Sequence, residues 1–227
     1  MKWYEALPAG RTWASLWTGY ILCGECRCIR RLEQSCPVCG SEPYSSRSRT
    51  VVVDGKEMVV SDMFMGAEGR YEDWVYLQML EREWKRPVTD TDRSSEFDQT
   101  SQPSSRAAIV VLFWSYFETR IERLLRAGMQ NVPTRLAEDT LQRYASIGSR
   151  LDRLYRVLFE TTYWADLAEL GFDDVGRHLT QVQERRNAFA HGDPRAIGEA
   201  LVTSVVDNLN REHEAWIAAY NRRGTRR

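Results

Sequence analysis

Two groups of side chains in this sequence have the types and spacing to do chemistry. The first is cysteine: Cys23-Gly-Glu-Cys26 and Cys36-Pro-Val-Cys39-Gly40 are two C-x2-C pairs separated by nine residues. Four thiolates delivered in pairs from two tight turns can surround one Zn²⁺ tetrahedrally at about 2.3 Å each. Pro37 and Gly40 suit knuckles whose backbone amides turn toward the sulfurs. A site closed by four sulfurs has no open position for water or substrate. The spacing therefore predicts a structural zinc on Cys23, Cys26, Cys36 and Cys39, and chemistry must be sought elsewhere. Cys28, the fifth thiol, lacks a C-x2-C partner and reads as a spare, with substitution for Cys26 as the alternative. Trp13, Trp17, Tyr20, Arg27, Arg30 and Arg31 lie on or beside this unit. Aromatic and arginine side chains together are what a single-strand-binding surface offers. The preferred reading is that the aromatics build the small core that a metal alone cannot supply.

The second group centres on histidine. His178 and His213 fall in mid-helix among polar neighbours and read as solvated or capping side chains. His191 differs, because it ends a helical stretch in Glu184-Arg185-Arg186-Asn187-Ala188-Phe189-Ala190-His191-Gly192-Asp193-Pro194. On an ideal helix Asn187 and His191 share one face and can hydrogen-bond, whereas Arg186 sits roughly 140° round the axis from His191. One helix aims both at one phosphate only if Arg186 swings round or the helix loosens at Gly192. A two-fold dimer changes this, since it can set two copies of Arg186, Asn187 and His191 around a shared cleft. The small Ala188 and Ala190 let two such helices approach, and Phe189 is expected to supply buried area. The competing reading is a histidine that caps its helix, with Arg186 in a surface ion pair to Glu184 or to an acid of the next helix.

Arg186-Asn187-x-x-x-His191, on the penultimate helix of a small all-α bundle, resembles the R-x4-H motif, in its Arg-Asn form, of HEPN domains. The resemblance spans residues 106–221 and takes in the opening helix around Phe117-Glu118. It implies an HEPN-like helical bundle and the activity of that family, a metal-independent endoribonuclease of bacterial toxins and antiviral effectors. It also implies that Arg186, Asn187 and His191 are the active site at a homodimer interface, although some members serve only as dimerisation modules. The partners implied are an RNA substrate, a second copy of the chain, and an antitoxin or partner defence protein. Cleaving RNA without a catalytic metal requires removing the 2′-hydroxyl proton, stabilising the phosphorane and protonating the 5′-oxygen, which leaves a 2′,3′-cyclic phosphate. Histidine is the natural acid and base for this and arginine the natural phosphate clamp. Asn187 would orient His191 or contact phosphate. The alternative is a non-catalytic adaptor that dimerises through its helices and uses the cysteine unit to bind a partner or nucleic acid. Over residues 15–61 that unit, with the hairpin downstream of it, resembles a zinc ribbon.

Positioning these groups falls to a small β-rich unit followed by helices, so the expected class is mainly α with a small β zinc-ribbon-like domain in front. Strand signals lie in the aromatic-rich stretch Trp13–Leu22 and in two β-branched runs around Asp54-Gly55, a preferred two-residue hairpin turn. A helix is predicted over 70–86, packing on the β unit or bridging onward. Between Val88 and Ser105 twelve of eighteen residues are Ser, Thr, Asp or Glu, without apolar periodicity. This stretch reads as a flexible acidic linker and divides the chain into 1–87, 88–105 and 106–227. Beyond it, helices are expected over 107–127, which should be central and buried, and over 136–147, 151–160, 164–170, 173–190 and 196–220. With 31 basic against 32 acidic residues, the net charge of −1 gives no global field for nucleic acid or an anionic membrane, so any such binding must be local. No apolar run is long enough to span a bilayer. The start lacks the pattern of a secretory leader, which predicts a cytoplasmic chain whose cysteines stay reduced.

Overall fold

Helix α2 (Ala108–Gly128) buries side chains round most of its circumference, among them Ile109, Phe113, Trp114, Tyr116, Phe117, Ile121, Leu124 and Leu125. A helix apolar on so many sides is stable only with neighbours on each of them. In the computed structural model, which describes residues 1–17, 19–43, 48–53, 55–61, 71–88 and 104–225, those neighbours are α1 (Tyr71–Lys85), α5 (Tyr155–Phe159), α7 (Asp173–Ala190) and α8 (Glu199–Arg223). Helices α3 (Thr134–Arg143), α4 (Ile147–Ser149) and α6 (Tyr163–Glu169) complete the set, with a π-helical turn, Arg150–Leu154, running from α4 into α5. The protein is thus mainly helical, as expected, with its described strands confined to the N-terminal third. No described helix is long and apolar enough to cross a membrane.

The strands form two separate antiparallel pairs. β1 (Tyr20–Leu22) pairs with β2 (Ile29–Arg31), Ile21 opposite Arg30. β3 (Ser48–Val53) pairs with β4 (Lys56–Ser61), Val51 opposite Met58, and Gly55 takes φ +74°, as a two-residue hairpin turn requires. Asp54 lies outside the described residues. The stretch Trp13–Leu22 departs from the strand expectation, because Trp13–Trp17 is a 3-10 turn and, among its described residues, only the last three are strand. The cause is tertiary: Glu81 of α1 accepts the Trp13 N–H at 2.9 Å and caps the turn, while Trp13 and Trp17 enter the core.

Helix α1 packs on α2 and on the 3-10 turn. Its Asp73 receives both guanidinium branches of Arg123 at 2.5 and 3.0 Å, with the two side chains 0% and 5% exposed. Trp13, Trp17, Ile29, Leu77 and Leu80 belong to the same hydrophobic cluster as α2 and α8, so residues on both sides of 88–105 share one core. Most of that linker, 89–103, lies outside the described residues. Its two ends are tied together, since Arg86 donates to the Ser105 carbonyl at 2.7 Å and Arg106 to the Arg86 carbonyl at 3.0 Å. Because a buried pair costs most when one partner is removed, Asp73→Ala should destabilise the protein by about 3–5 kcal/mol in denaturant unfolding. A loss under about 1 kcal/mol would mean that α1 docks by its apolar residues alone.

The last helix also differs from its expected bounds. A short 3-10 turn, Pro194–Ala196, precedes it, and α8 begins only at Glu199. Ile197 between them is extended (φ −112°, ψ 91°) and fully buried, and its carbonyl accepts the Ser104 N–H at 2.9 Å. A helix continued through 197 would bond that carbonyl to its own fourth residue onward instead.

Candidate metal centre and the exposed end of helix α7

The two C-x2-C pairs fold into matching knuckles. In the first, the Arg27 N–H bonds the Cys23 carbonyl at 2.9 Å and the Cys23 N–H bonds the Cys28 carbonyl at 2.8 Å. In the second, Gly40 bonds Cys36 at 2.9 Å and Cys36 bonds Ser41 at 2.8 Å in the same pattern. Both knuckles need a left-handed residue after the second cysteine, supplied by Arg27 (φ 63°) and Gly40 (φ 72°). The four sulfurs of Cys23, Cys26, Cys36 and Cys39 lie within 4.8 Å of one another, with Cys23 to Cys39 at 3.7 Å and Cys26 to Cys36 at 3.5 Å. A tetrahedron of sulfurs about 2.3 Å from a zinc ion has edges of about 3.8 Å, so these four residues fit one metal ion. Burial opposes ionisation of Cys36, but the amides of Cys39 and Val38 and the neighbouring thiols outweigh it and draw the thiol down to about 5. Cys26, where burial dominates, is pushed up to about 12.

The aromatic and arginine residues of this unit serve mainly to attach it. Trp17 is buried against Trp216 and His213 of α8, and its indole donates to the Tyr116 hydroxyl at 2.8 Å. Arg30 is 7% exposed and donates to the carbonyls of Gln34 and Glu42, closing the loop that carries the second knuckle. Asn221 of α8 extends the sheet like a strand edge, accepting the Ile29 N–H at 2.6 Å and donating to the Ile29 carbonyl at 2.8 Å. Arg31 stays exposed beside Tyr20, its guanidinium 4.6 Å from the ring centre.

At the other candidate site, α7 spans Asp173–Ala190 as expected, and His191 is its C-terminal cap residue. Gly192 (φ +98°) donates to Phe189 at 3.1 Å and Asp193 donates to Ala188 at 3.0 Å, the paired bonds of a Schellman closure. The helix therefore does not loosen at Gly192. Arg186 swings round instead. It continues the buried stripe of Val175, Leu179 and Val182, yet its Nη1 donates to Asn187 Oδ1 at 3.1 Å. Asn187 stands between Arg186 and His191 around the axis, so this bond carries the guanidinium toward the histidine side. The expected side-chain bond between Asn187 and His191 is replaced by the one to Arg186, and the two residues meet only through the backbone, His191 N–H to the Asn187 carbonyl at 3.0 Å. Among the described residues Arg186 has no carboxylate partner, and the exposed His191 ring has no hydrogen bond. Phe189 is partly buried in the chain's own core, which reduces the area it offers a second copy.

Two further arginines gather beside this connection. Arg185 of α7 and Arg195 of the 3-10 turn line a groove of about 300 Å³ together with Gln181, Gly198, Leu201 and Ser204. Their spacing carries no motif, because they stand ten positions apart in the chain and only the turn after α7 brings them together. No family model, curated protein or solved structure matches this chain.

Neither of the other two histidines is the solvated or capping side chain expected: His213 is buried and His178 is half-buried against Glu212. His178 Nδ1 lies 2.6 Å from Glu212 Oε1, and His213 stacks edge-on to Trp17 and Tyr20 with ring centres 4.4 and 5.4 Å apart. Arg120, 1% exposed, lies in the same core with its guanidinium 4.1 Å from the Tyr116 ring centre. Helical period alone does not reveal this, because polar neighbours in sequence point away from a core that α1, α2 and the 3-10 turn supply. Burial, aided by the charge of Arg120, pushes His213 down to about 3. The folded protein keeps His213 neutral while the unfolded chain protonates it below about pH 6.5, so stability falls as pH drops from about 7 toward 3. Between pH 7.5 and pH 5 the protein should lose about 2 kcal/mol more than a His213→Leu variant in urea unfolding. Equal losses would place the pH sensitivity elsewhere.

Proposed function

We propose that residues 106–221 form an HEPN-like domain whose Arg186, Asn187 and His191 make the protein a metal-independent endoribonuclease, cutting RNA at a homodimer interface. The observation that carries this reading is the Arg186 to Asn187 hydrogen bond near the closed end of α7, which draws the guanidinium to the side of the helix where His191 is exposed, with no carboxylate on it among the described residues. That pairing suits a scissile phosphodiester: Arg186 holds the non-bridging oxygens and His191 shuttles protons between the 2′-hydroxyl and the leaving 5′-oxygen. Across a two-fold axis, one histidine can act as base and the other as acid. Arg185 and Arg195 give the flanking strand a local basic groove that the balanced net charge does not supply.

The metal we assign to Cys23, Cys26, Cys36 and Cys39 is zinc, because four thiolates in a tetrahedral set suit it best. Its role is to hold the two knuckles together, and through them the docking surface for α8. Cysteines kept as free thiols suit a reducing compartment, which supports the cytoplasmic location we infer. Incubating the purified protein with total RNA in EDTA, wild type beside His191→Ala, tests the assignment. The expected result is cleavage to 2′,3′-cyclic phosphate ends by the wild type alone. Intact RNA in both samples would leave an interaction module in place of an enzyme.

A further inference from the structure

The match between the two knuckles gives Cys28 a counterpart. It occupies the position that Ser41 holds in the second knuckle, each residue accepting, through its carbonyl, the N–H of its knuckle's leading cysteine at 2.8 Å. Their side chains then cross over: Ser41 Oγ lies 3.2 Å from Cys23 Sγ, and Cys28 Sγ lies 3.1 Å from Cys36 Sγ. Each thus touches the leading cysteine of the opposite knuckle. A hydroxyl suffices at the Ser41 position, and with four other sulfurs already fitting one ion, what the thiol at 28 adds is the capacity to form a disulfide. Cys28 is fully buried and stands outside the four sulfurs that fit one ion, yet it is closer to Cys36 than Cys26 is.

We propose that Cys28 and Cys36 are an oxidisable pair whose disulfide withdraws Cys36 from the metal and releases the ion. This inference rests on the metal reading of the four-cysteine cluster. The oxidant is a peroxide small enough to enter where the cluster opens to solvent at the exposed Cys39. The Cys36 thiolate attacks one peroxide oxygen, the O–O bond breaks, and hydroxide leaves, so that Cys36 becomes a sulfenic acid. The Cys28 thiol then attacks the Cys36 sulfur, forming the S–S bond and expelling the sulfenic oxygen as water. In sum one thiolate, one thiol and hydrogen peroxide yield a disulfide, water and hydroxide, the two sulfurs having lost two electrons to the peroxide. A thiol reductant reverses the step and restores the fourth ligand.

The test uses the full chain loaded with one equivalent of Zn²⁺ and exposed to hydrogen peroxide. Metal release is followed with a chromogenic chelator, and cysteine linkages by peptide mass mapping. The wild type should release zinc as a Cys28–Cys36 linked peptide appears, and should rebind zinc after reduction. Cys28→Ser, which repeats the solution found at Ser41, should bind zinc normally and release it about tenfold more slowly. Cys28→Ala serves the same comparison if the serine variant does not fold. Release from the variants at the wild-type rate, or mapping that finds only Cys23–Cys39 or Cys26–Cys36 links with Cys28 reduced, overturns the proposal. A wild type that takes up no zinc refutes the metal reading instead, and mapping of that same peroxide-treated chain still decides whether Cys28 and Cys36 join.

Discussion

Arg186→Ala is expected to lower RNA cleavage by about 10²–10³-fold, the effect of removing one preorganised donor from a developing oxyanion. The guanidinium is charged whatever the protonation state of His191, and its bond to Asn187 orients it before substrate arrives. Preorganisation of this kind is where such a donor gains its effect, because no reorientation is needed as charge accumulates on the phosphorane. Arg186→Lys should recover little, since an ammonium cannot both bond Asn187 and hold two phosphate oxygens in a planar fork. His191→Ala should reduce the rate by about 10²–10⁴-fold through loss of proton transfer. Circular dichroism and oligomeric state should be unchanged in both variants, because Arg186 is only partly buried and His191 is exposed. Cleavage that survives Arg186→Ala within about threefold would remove the phosphate clamp from the mechanism.

Cys36→Ala is expected to abolish metal binding and to detach the knuckle unit from α8. Cys36 is buried, touches Cys26 and Cys28 at 3.5 and 3.1 Å, and receives the Cys39 amide at 3.5 Å, so its loss opens both knuckles together. The apparent free energy of a structural zinc site is about 10–16 kcal/mol, larger than the whole stability of an ordinary domain. The damage should nevertheless be local. Residues 19–43 lose their order and the Ile29 to Asn221 bonds break, while α2 to α7 keep their mutual packing. Far-ultraviolet circular dichroism should therefore change little, and the near-ultraviolet signal should change strongly because Trp17 leaves Trp216 and His213. Elemental analysis should find one zinc per wild-type chain and none in the variant. Metal at full occupancy in Cys36→Ala would move the fourth ligand elsewhere, with Cys28 the first candidate.

Local chemistry and period are legible from the residues alone. The C-x2-C spacing specifies two tight knuckles because a sulfur pair that close in sequence meets one ion only through a turn. The 3.6-residue period places α2 at the centre and finds α7 with its observed bounds, since apolar stripes and a Gly192 stop act within one helix. Asp54-Gly55 marks the β3–β4 hairpin for the same reason. Features that depend on partners distant in sequence are not legible. Trp13–Trp17 is helical because Glu81 caps it, Ile197 is extended because Ser104 pairs with it, and His213 is buried because Trp17 and Tyr20 close over it. The conformation of Arg186 belongs to the same class. Its position on the buried stripe of α7 follows from the sequence, but its turn toward Asn187 is a side-chain choice made in three dimensions. So is the pairing of Cys28 with Cys36, which arises from the crossing of two knuckles that the sequence presents one after the other. A sequence encodes its short-range periods directly, whereas contacts across the chain exist only once the core has brought the elements together.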